Sequence, residues 1–207
     1  PIEWNDNLYV SFLRMNWRNN DGVHELNAFL QLYNVTEDRL EWKSDTIDIE
    51  YVVSGTPGVN PTFNEGKILL SNDAFYSYNI EDGSLAWRKH YGNHFTLVSR
   101  ITSEGGIVYG NDEDGYFVGL DVHTGDELFR TETGGSPGKI SVNDGKCYMT
   151  SISRPSGNYF MVLDALNGNI IHDIKASENL YEDAQFDWGL TVDPETGLSY
   201  TSDHNHI

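Results

Sequence analysis

Short apolar runs alternate with tight polar turns along the whole chain, and no stretch carries apolar residues at helical spacing. Leu8-Tyr9-Val10, Ile68-Leu69-Leu70, Ile107-Val108-Tyr109, Cys147-Tyr148-Met149 and Leu198-Ser199-Tyr200 each follow a turn-forming cluster. Those clusters are Asn5-Asp6-Asn7, Asn64-Glu65-Gly66, Ser103-Glu104-Gly105, Asn143-Asp144-Gly145 and Asp193 through Gly197. A second series reads as strand, Asx-Gly turn and strand: Leu32 to Trp42, Ser77 to Trp87, Gly119 to Phe129 and Val162 to His172. Each unit therefore predicts a strand A, a tight turn, strand B, a loop, strand C, an Asx-Gly turn and strand D. The expected class is all-β.

The second series repeats. Asn34, Asn79, Asp121 and Asp164 recur about every 43 residues, the length of one four-stranded propeller blade. An Asx side chain at a strand end accepts a backbone hydrogen bond two residues on and shapes the turn. Gly83, Gly125 and Gly168 supply the left-handed residue that closes it, where the first copy has Asp38. Trp42, Trp87 and Phe129 offer large apolar area for packing one blade on the next, and His172 takes that place in the fourth copy. About four and a half blades are expected: 1–53, 54–92, 93–134, 135–177 and an incomplete 178–207. Such an array leaves strand edges and apolar blade faces to be covered, so further blades are expected from a longer protein or from another chain.

Composition changes this picture in two ways. Thirteen Lys+Arg against 32 Asp+Glu give a formal charge of −19, which repels a phosphate backbone and argues against nucleic acid as a partner. The single cysteine, Cys147, excludes an internal disulfide and a cysteine metal cluster, and its apolar strand predicts a buried small side chain. No apolar run approaches the roughly 18 residues of a membrane helix. The opening Pro1-Ile2-Glu3-Trp4 lacks the basic start and apolar run of a signal peptide, a pattern that leaves export open.

The repeat, read as small-x-Asp-x-x-x-Gly-x-x-x-Trp, resembles that of the pyrroloquinoline-quinone-like propellers. That superfamily includes the quinoprotein alcohol dehydrogenases and BamB-type scaffold lipoproteins. The resemblance implies a propeller of roughly six to eight blades in all, and a periplasmic, cell-surface or secreted location. Trp42 and Trp87 keep the family tryptophan, and Ser77 and Gly119 keep the small first residue. The quinoprotein alcohol dehydrogenases carry an adjacent cysteine pair, which a chain with one cysteine does not have. The favoured reading is a non-catalytic module binding a protein, small molecule or carbohydrate, with no cofactor. The alternative is a segment of a quinone- and Ca²⁺-dependent dehydrogenase.

Strand order places the A–B and C–D turns at one end of each blade and the B–C and D–A connections at the other. The former are short; the latter are long and varied, as expected of binding loops on a rigid scaffold. His94, Arg100, Asp187 and Trp188, near entries into strand A, are candidate ligand contacts. Trp17 and Arg18, read within a loop spanning Arg14–Gly22, are candidate partner contacts. Arg100 paired with a carboxylate and Trp188 packed between blades are the plainer readings of those two residues. Asp112-Glu113-Asp114-Gly115 lacks the twelfth-position Glu of an EF-hand and reads as a charged hairpin tip. Asp203, His204 and His206 carry metal-ligand chemistry without a readable context. No metal site or catalytic residue is assigned. The sequon Asn34-Val35-Thr36 overlaps a turn position.

Overall fold

The computed structural model describes residues 1–20, 23–49, 61–71, 74–91, 101–111, 115–134, 136–154, 157–176 and 186–203 of the 207-residue chain. Among the described residues its strands pair antiparallel in five sheets. The first sheet holds β1 (Ile2–Trp4), β2 (Asn7–Asn20), β3 (Val23–Asn34) and β4 (Arg39–Lys43) in sequence order. β5 (Ile47–Ile49) also pairs with β3. The second sheet is β6 (Thr62–Asn64), β7 (Lys67–Ser71), β8 (Phe75–Asn79) and β9 (Leu85–Lys89). The third is β10 (Thr102–Glu104), β11 (Ile107–Asn111), β12 (Tyr116–Asp121) and β13 (Glu127–Glu132). The fourth is β14 (Ser136–Asn143), β15 (Lys146–Arg154), β16 (Gly157–Asp164) and β17 (Ile170–Lys175). β18 (Phe186–Val192) and β19 (Ser199–Asp203) form a two-stranded fifth sheet. The four complete sheets are up-and-down meanders of the blade type.

Turn chemistry accounts for the meander. The A–B hairpins of the first four sheets close through two residues that both have positive φ: Asn5 and Asp6, Glu65 and Gly66, Gly105 and Gly106, Asp144 and Gly145. That is the geometry whose twist matches the flanking strands. The C–D hairpins use a longer turn. Gly83 N–H donates to the Asn79 carbonyl at 2.9 Å and Asn79 N–H to the Ser84 carbonyl at 2.9 Å. The same pair of bonds joins Gly168 to Asp164 and Asp164 to Asn169. The expected Asx side-chain cap is seen at Asp164, whose Oδ1 accepts from Leu166 N–H at 2.8 Å, and at Asn34, whose Oδ1 accepts from Glu37 N–H at 3.0 Å. In the second copy Asn79 Oδ1 instead takes the Lys67 ammonium, and Asp82 caps Ser84 N–H. Every C–D pair also carries a register shift one step from the docking residue, at Leu32/Tyr33, Ser77/Tyr78, Gly119/Leu120 and Val162/Leu163.

The chain divides into two compact units: Pro1–Leu97 with Val122–Gly125, and Val98–Asp121 with Asp126–Ile207. The first unit has a core of Leu30, Leu32, Ile68, Leu70, Tyr76 and Tyr78, with Trp42 packed against it. The second is built on Tyr109, Phe117, Phe129, Met149, Met161 and Leu163. Burying a side chain of this size stabilises by about 1.5–3 kcal/mol each, which is why central strands such as β7 and β11 are apolar on both faces.

The aromatic positions dock as their spacing predicts. A Cβ placed on Gly83 would lie 2.5 Å from the Trp42 ring, and one on Gly125 would lie 2.7 Å from the Trp87 ring. One on Gly168 would collide with Phe129. Glycine is thus required twice over, for its φ and for the ring that occupies the missing side chain's place. The indoles add a bond each: Trp42 Nε1 donates to the Ile80 carbonyl at 2.6 Å and Trp87 Nε1 to the Val122 carbonyl at 2.9 Å.

One expectation fails. Arg14–Gly22 is not a loop through most of its length: Arg14 to Asn20 continue β2 and pair in register with β3, Trp17 opposite Leu26 and Arg18 opposite Glu25. Polar residues at 16, 19 and 20 imitate a loop, but the pairing carries the backbone bonds. Only the tip, residues 21–22, lies outside the described residues.

Candidate binding surface

The B–C end of the sheets is uneven. β7–β8 and β11–β12 are hairpins of five- and six-residue strands. β2–β3 pairs over twelve residues on each strand, from Tyr9–Asn34 to Asn20–Val23, and β15–β16 extends to a last pair at Arg154–Gly157. At about 3.3 Å per residue, the seven additional residues of β2 beyond Leu13 carry the first sheet's hairpin roughly 23 Å further than a five-residue strand would. Trp17 and Arg18 lie on that extension by register.

The D–A end offers a second feature. β14 and β18, the A strands of the fourth and fifth sheets, lie beside each other within one unit. Both have irregular register where the chain enters them, between Pro137 and Ile140 and between Phe186 and Leu190. Asp187 and Trp188 fall inside the second irregularity. His94 and Arg100 lie outside the described residues, as do Asp112–Asp114, His204 and His206. The structure therefore places Trp17 and Arg18 together on one hairpin, and Asp187 and Trp188 together on one strand.

Sequence reasoning gave no hint of a cleft beside β1, β2 and β6. A cavity of about 420 Å³ is lined there by Glu3, Val10, Ser11, Thr62 and Phe63 with the first two residues of the chain. Most of its lining residues are ordinary strand residues, and no motif marks them.

The opposite end of the sheets is closed by local bonds. His123 Nε2 lies 2.9 Å from Glu65 Oε2, joining an A–B turn to a C–D turn within the first unit. Asn34 of the sequon is buried, accepting from Glu37 N–H while its amide donates to Glu41 at 2.8 Å, so it is not an open acceptor for a glycan. Cys147 is buried in β15, and burial pushes its thiol well above the ordinary value, which disfavours the thiolate. Among the described residues no three His, Cys, Asp or Glu side chains come together to hold a metal, and no helix is long and apolar enough to cross a membrane.

Comparison with known proteins agrees with the repeat. Structures similar to this one include the computationally designed Ika8 protein, at TM-score 0.61 and 11% identity, covering 90% of this chain and 56% of that one. BamB from Moraxella catarrhalis matches at TM-score 0.56 and 14% identity, covering 90% of this chain and 63% of its own. Hsv2 from Kluyveromyces lactis matches at TM-score 0.59 and 10% identity, over 86% of this chain and 55% of that one. The chain thus spans little more than half the length of these structures, and at such identities the likeness establishes the β-propeller fold alone. No curated protein sequence matches. The PQQ-repeat family model described as outer membrane protein assembly factor BamB matches residues 27–186, most of the chain. With its blade meanders, its Asx-Gly turns and its docked aromatics, the chain belongs to the BamB-like family of PQQ-repeat β-propellers.

Proposed function

We propose that this chain is a non-catalytic scaffold that binds a protein partner through the B–C and D–A end of its blades, in the periplasm or at the cell surface. The observation that carries the reading is the contrast between the two ends of the sheets. The A–B hairpins of the four complete sheets turn in two residues, whereas the B–C end carries hairpins of very different reach. A rigid array with one uniform end and one varied end concentrates recognition at the varied end. Membership of a family described as an assembly factor favours a protein over a small molecule as the ligand.

The test is a pull-down from envelope extract with the full chain as bait. Trp17→Ala and Trp188→Ala should each weaken capture of the partner at least tenfold, whereas Glu65→Ala at the opposite end should leave it unchanged. Loss of capture in Glu65→Ala with retention in both tryptophan variants would place recognition at the wrong end of the blades. Dye-linked alcohol or sugar oxidation on addition of pyrroloquinoline quinone and Ca²⁺ would contradict the non-catalytic reading.

A further inference from the structure

Asn167–Gly168 is the one Asn–Gly step in the chain. It lies in the turn between β16 and β17, where Asn167 is exposed and Gly168 is buried. An asparagine before glycine carries its own reaction partner. The backbone nitrogen of the next residue can attack the side-chain amide carbon, and glycine has no side chain to stand in the way.

The folded turn engages both reacting groups in other bonds. Gly168 N–H donates to the Asp164 carbonyl at 2.9 Å, and Asn167 Oδ1 accepts from Asn169 N–H at 2.9 Å. The glycine is also pinned from β13. Thr131 Oγ1 donates to the Gly168 carbonyl at 2.8 Å, and the Phe129 ring fills the space where a Gly168 Cβ would stand. All these residues belong to the second unit. Attack needs the Gly168 nitrogen released from its bond and the Asn167 amide turned onto it, so the turn has to open first. The second sheet shows what the turn tolerates at this position. Asp82 stands directly before Gly83, and its Oδ1 accepts from Ser84 N–H at 2.9 Å, the bond that Asn167 makes to Asn169.

We propose that Asn167 is a deamidation site gated by the docking of Gly168 on β13. In the opened turn the Gly168 nitrogen bonds to Asn167 Cγ, its proton leaves with the side-chain nitrogen as ammonia, and a succinimide ring closes. Water then opens the ring in one of two ways. Cleavage of the new N–Cγ bond leaves an ordinary aspartate. Cleavage of the original peptide bond leaves isoaspartate, with the main chain running through the side-chain carbon and longer by one methylene. The aspartate keeps the turn, as Asp82 does in its own. The isoaspartate lengthens the loop that the Gly168-to-Asp164 bond closes, and so releases Phe129 and Thr131. The site converts time spent undocked into permanent loss of a contact between the third and fourth sheets.

The test follows conversion at Asn167 in the full chain by peptide mass spectrometry in mildly alkaline buffer, folded and in urea. Isoaspartate is read separately with an isoaspartyl methyltransferase as reagent. The unfolded chain should convert about tenfold faster than the folded one, or more, because reaction tracks the population of the open turn. Thr131→Val removes one pinning bond and should speed conversion of the folded chain about two- to tenfold. Phe129→Ala should speed it further, and Thr131→Val decides the matter even where Phe129→Ala unfolds. In urea the wild type and both variants should convert alike. Asn167→Asp should leave the NMR shifts of Phe129 and Thr131 in place, whereas the isoaspartate form should lose them. Equal rates for folded and unfolded wild type, or for folded wild type and folded Thr131→Val, would overturn the gating. Absence of conversion in urea would overturn the site itself.

Discussion

The turns at Gly168 and Gly197 are closed by the same local bonds and differ in what stands beside them. In both, an Asp Oδ1 accepts two backbone N–H groups at 2.8 and 3.2 Å. In both, the glycine N–H donates to that Asp carbonyl, at 2.9 and 2.8 Å, with φ of +71 and +70. At Gly168 the missing Cβ is replaced by the Phe129 ring and the Thr131 hydroxyl; at Gly197 nothing lies within 4 Å. Turn closure is therefore a local property of Asx-x-x-x-Gly, whereas docking is tertiary and separable from it. One motif does two jobs, and the second is present only where an aromatic strand meets it.

The largest effect should come from removing a docked ring. Phe129→Ala deletes a buried aromatic and should cost about 3–5 kcal/mol, read as a fall in the denaturant midpoint with little change in slope. A loss under about 1 kcal/mol would mean that the ring does not hold the turn. Next, glycine substitution should separate the two turns. Gly168→Ala pays for positive φ and for displacing Phe129, about 2–4 kcal/mol in all, whereas Gly197→Ala pays for φ alone, about 1 kcal/mol. Equal costs would erase the distinction. The smallest effect concerns the cap. Backbone N–H groups of Glu195 and Thr196 hold the Asp193 carboxyl below its usual value of 3.8. Because its folded-state value is depressed, the cap is complete above the ordinary carboxylate range and is lost as pH falls through the depressed value. An NMR titration should give a midpoint below 3.8 for Asp193; a midpoint at or above it would show the cap to be absent.

Much of the fold was legible because the repeat encodes it at every blade. Asn34, Asp164 and Asp193 mark turns by chemistry that acts within a few residues, and Trp42, Trp87 and Phe129 mark docking by size and spacing. The length of β2 was not legible. Asn16, Asn19 and Asn20 look like loop residues, and only pairing with β3 reveals a strand. The fifth hairpin also departs from its series. It stands where A–B turns of two residues are the rule, yet it closes with the bonds of the C–D turns, as its Asp193 to Gly197 spacing matches Asp164 to Gly168. The candidate binding residues are the least legible, since they sit in connections that do not repeat and so have no internal copy to compare. The cleft at Val10, Ser11 and Phe63 is invisible for a related reason: it arises from how strands lie side by side and not from any residue's chemistry.

The central claim is that an aromatic side chain and a turn glycine hold each other, and Trp87 with Gly125 tests it directly because the three atoms nearest a Cβ there all belong to that ring. The measurement is the stability cost of Gly125→Ala in the wild-type chain and again in Trp87→Ala. Docking predicts about 2–4 kcal/mol in the first background and about 1 kcal/mol in the second, where only the positive φ remains to be strained. The same cost in both backgrounds would contradict it.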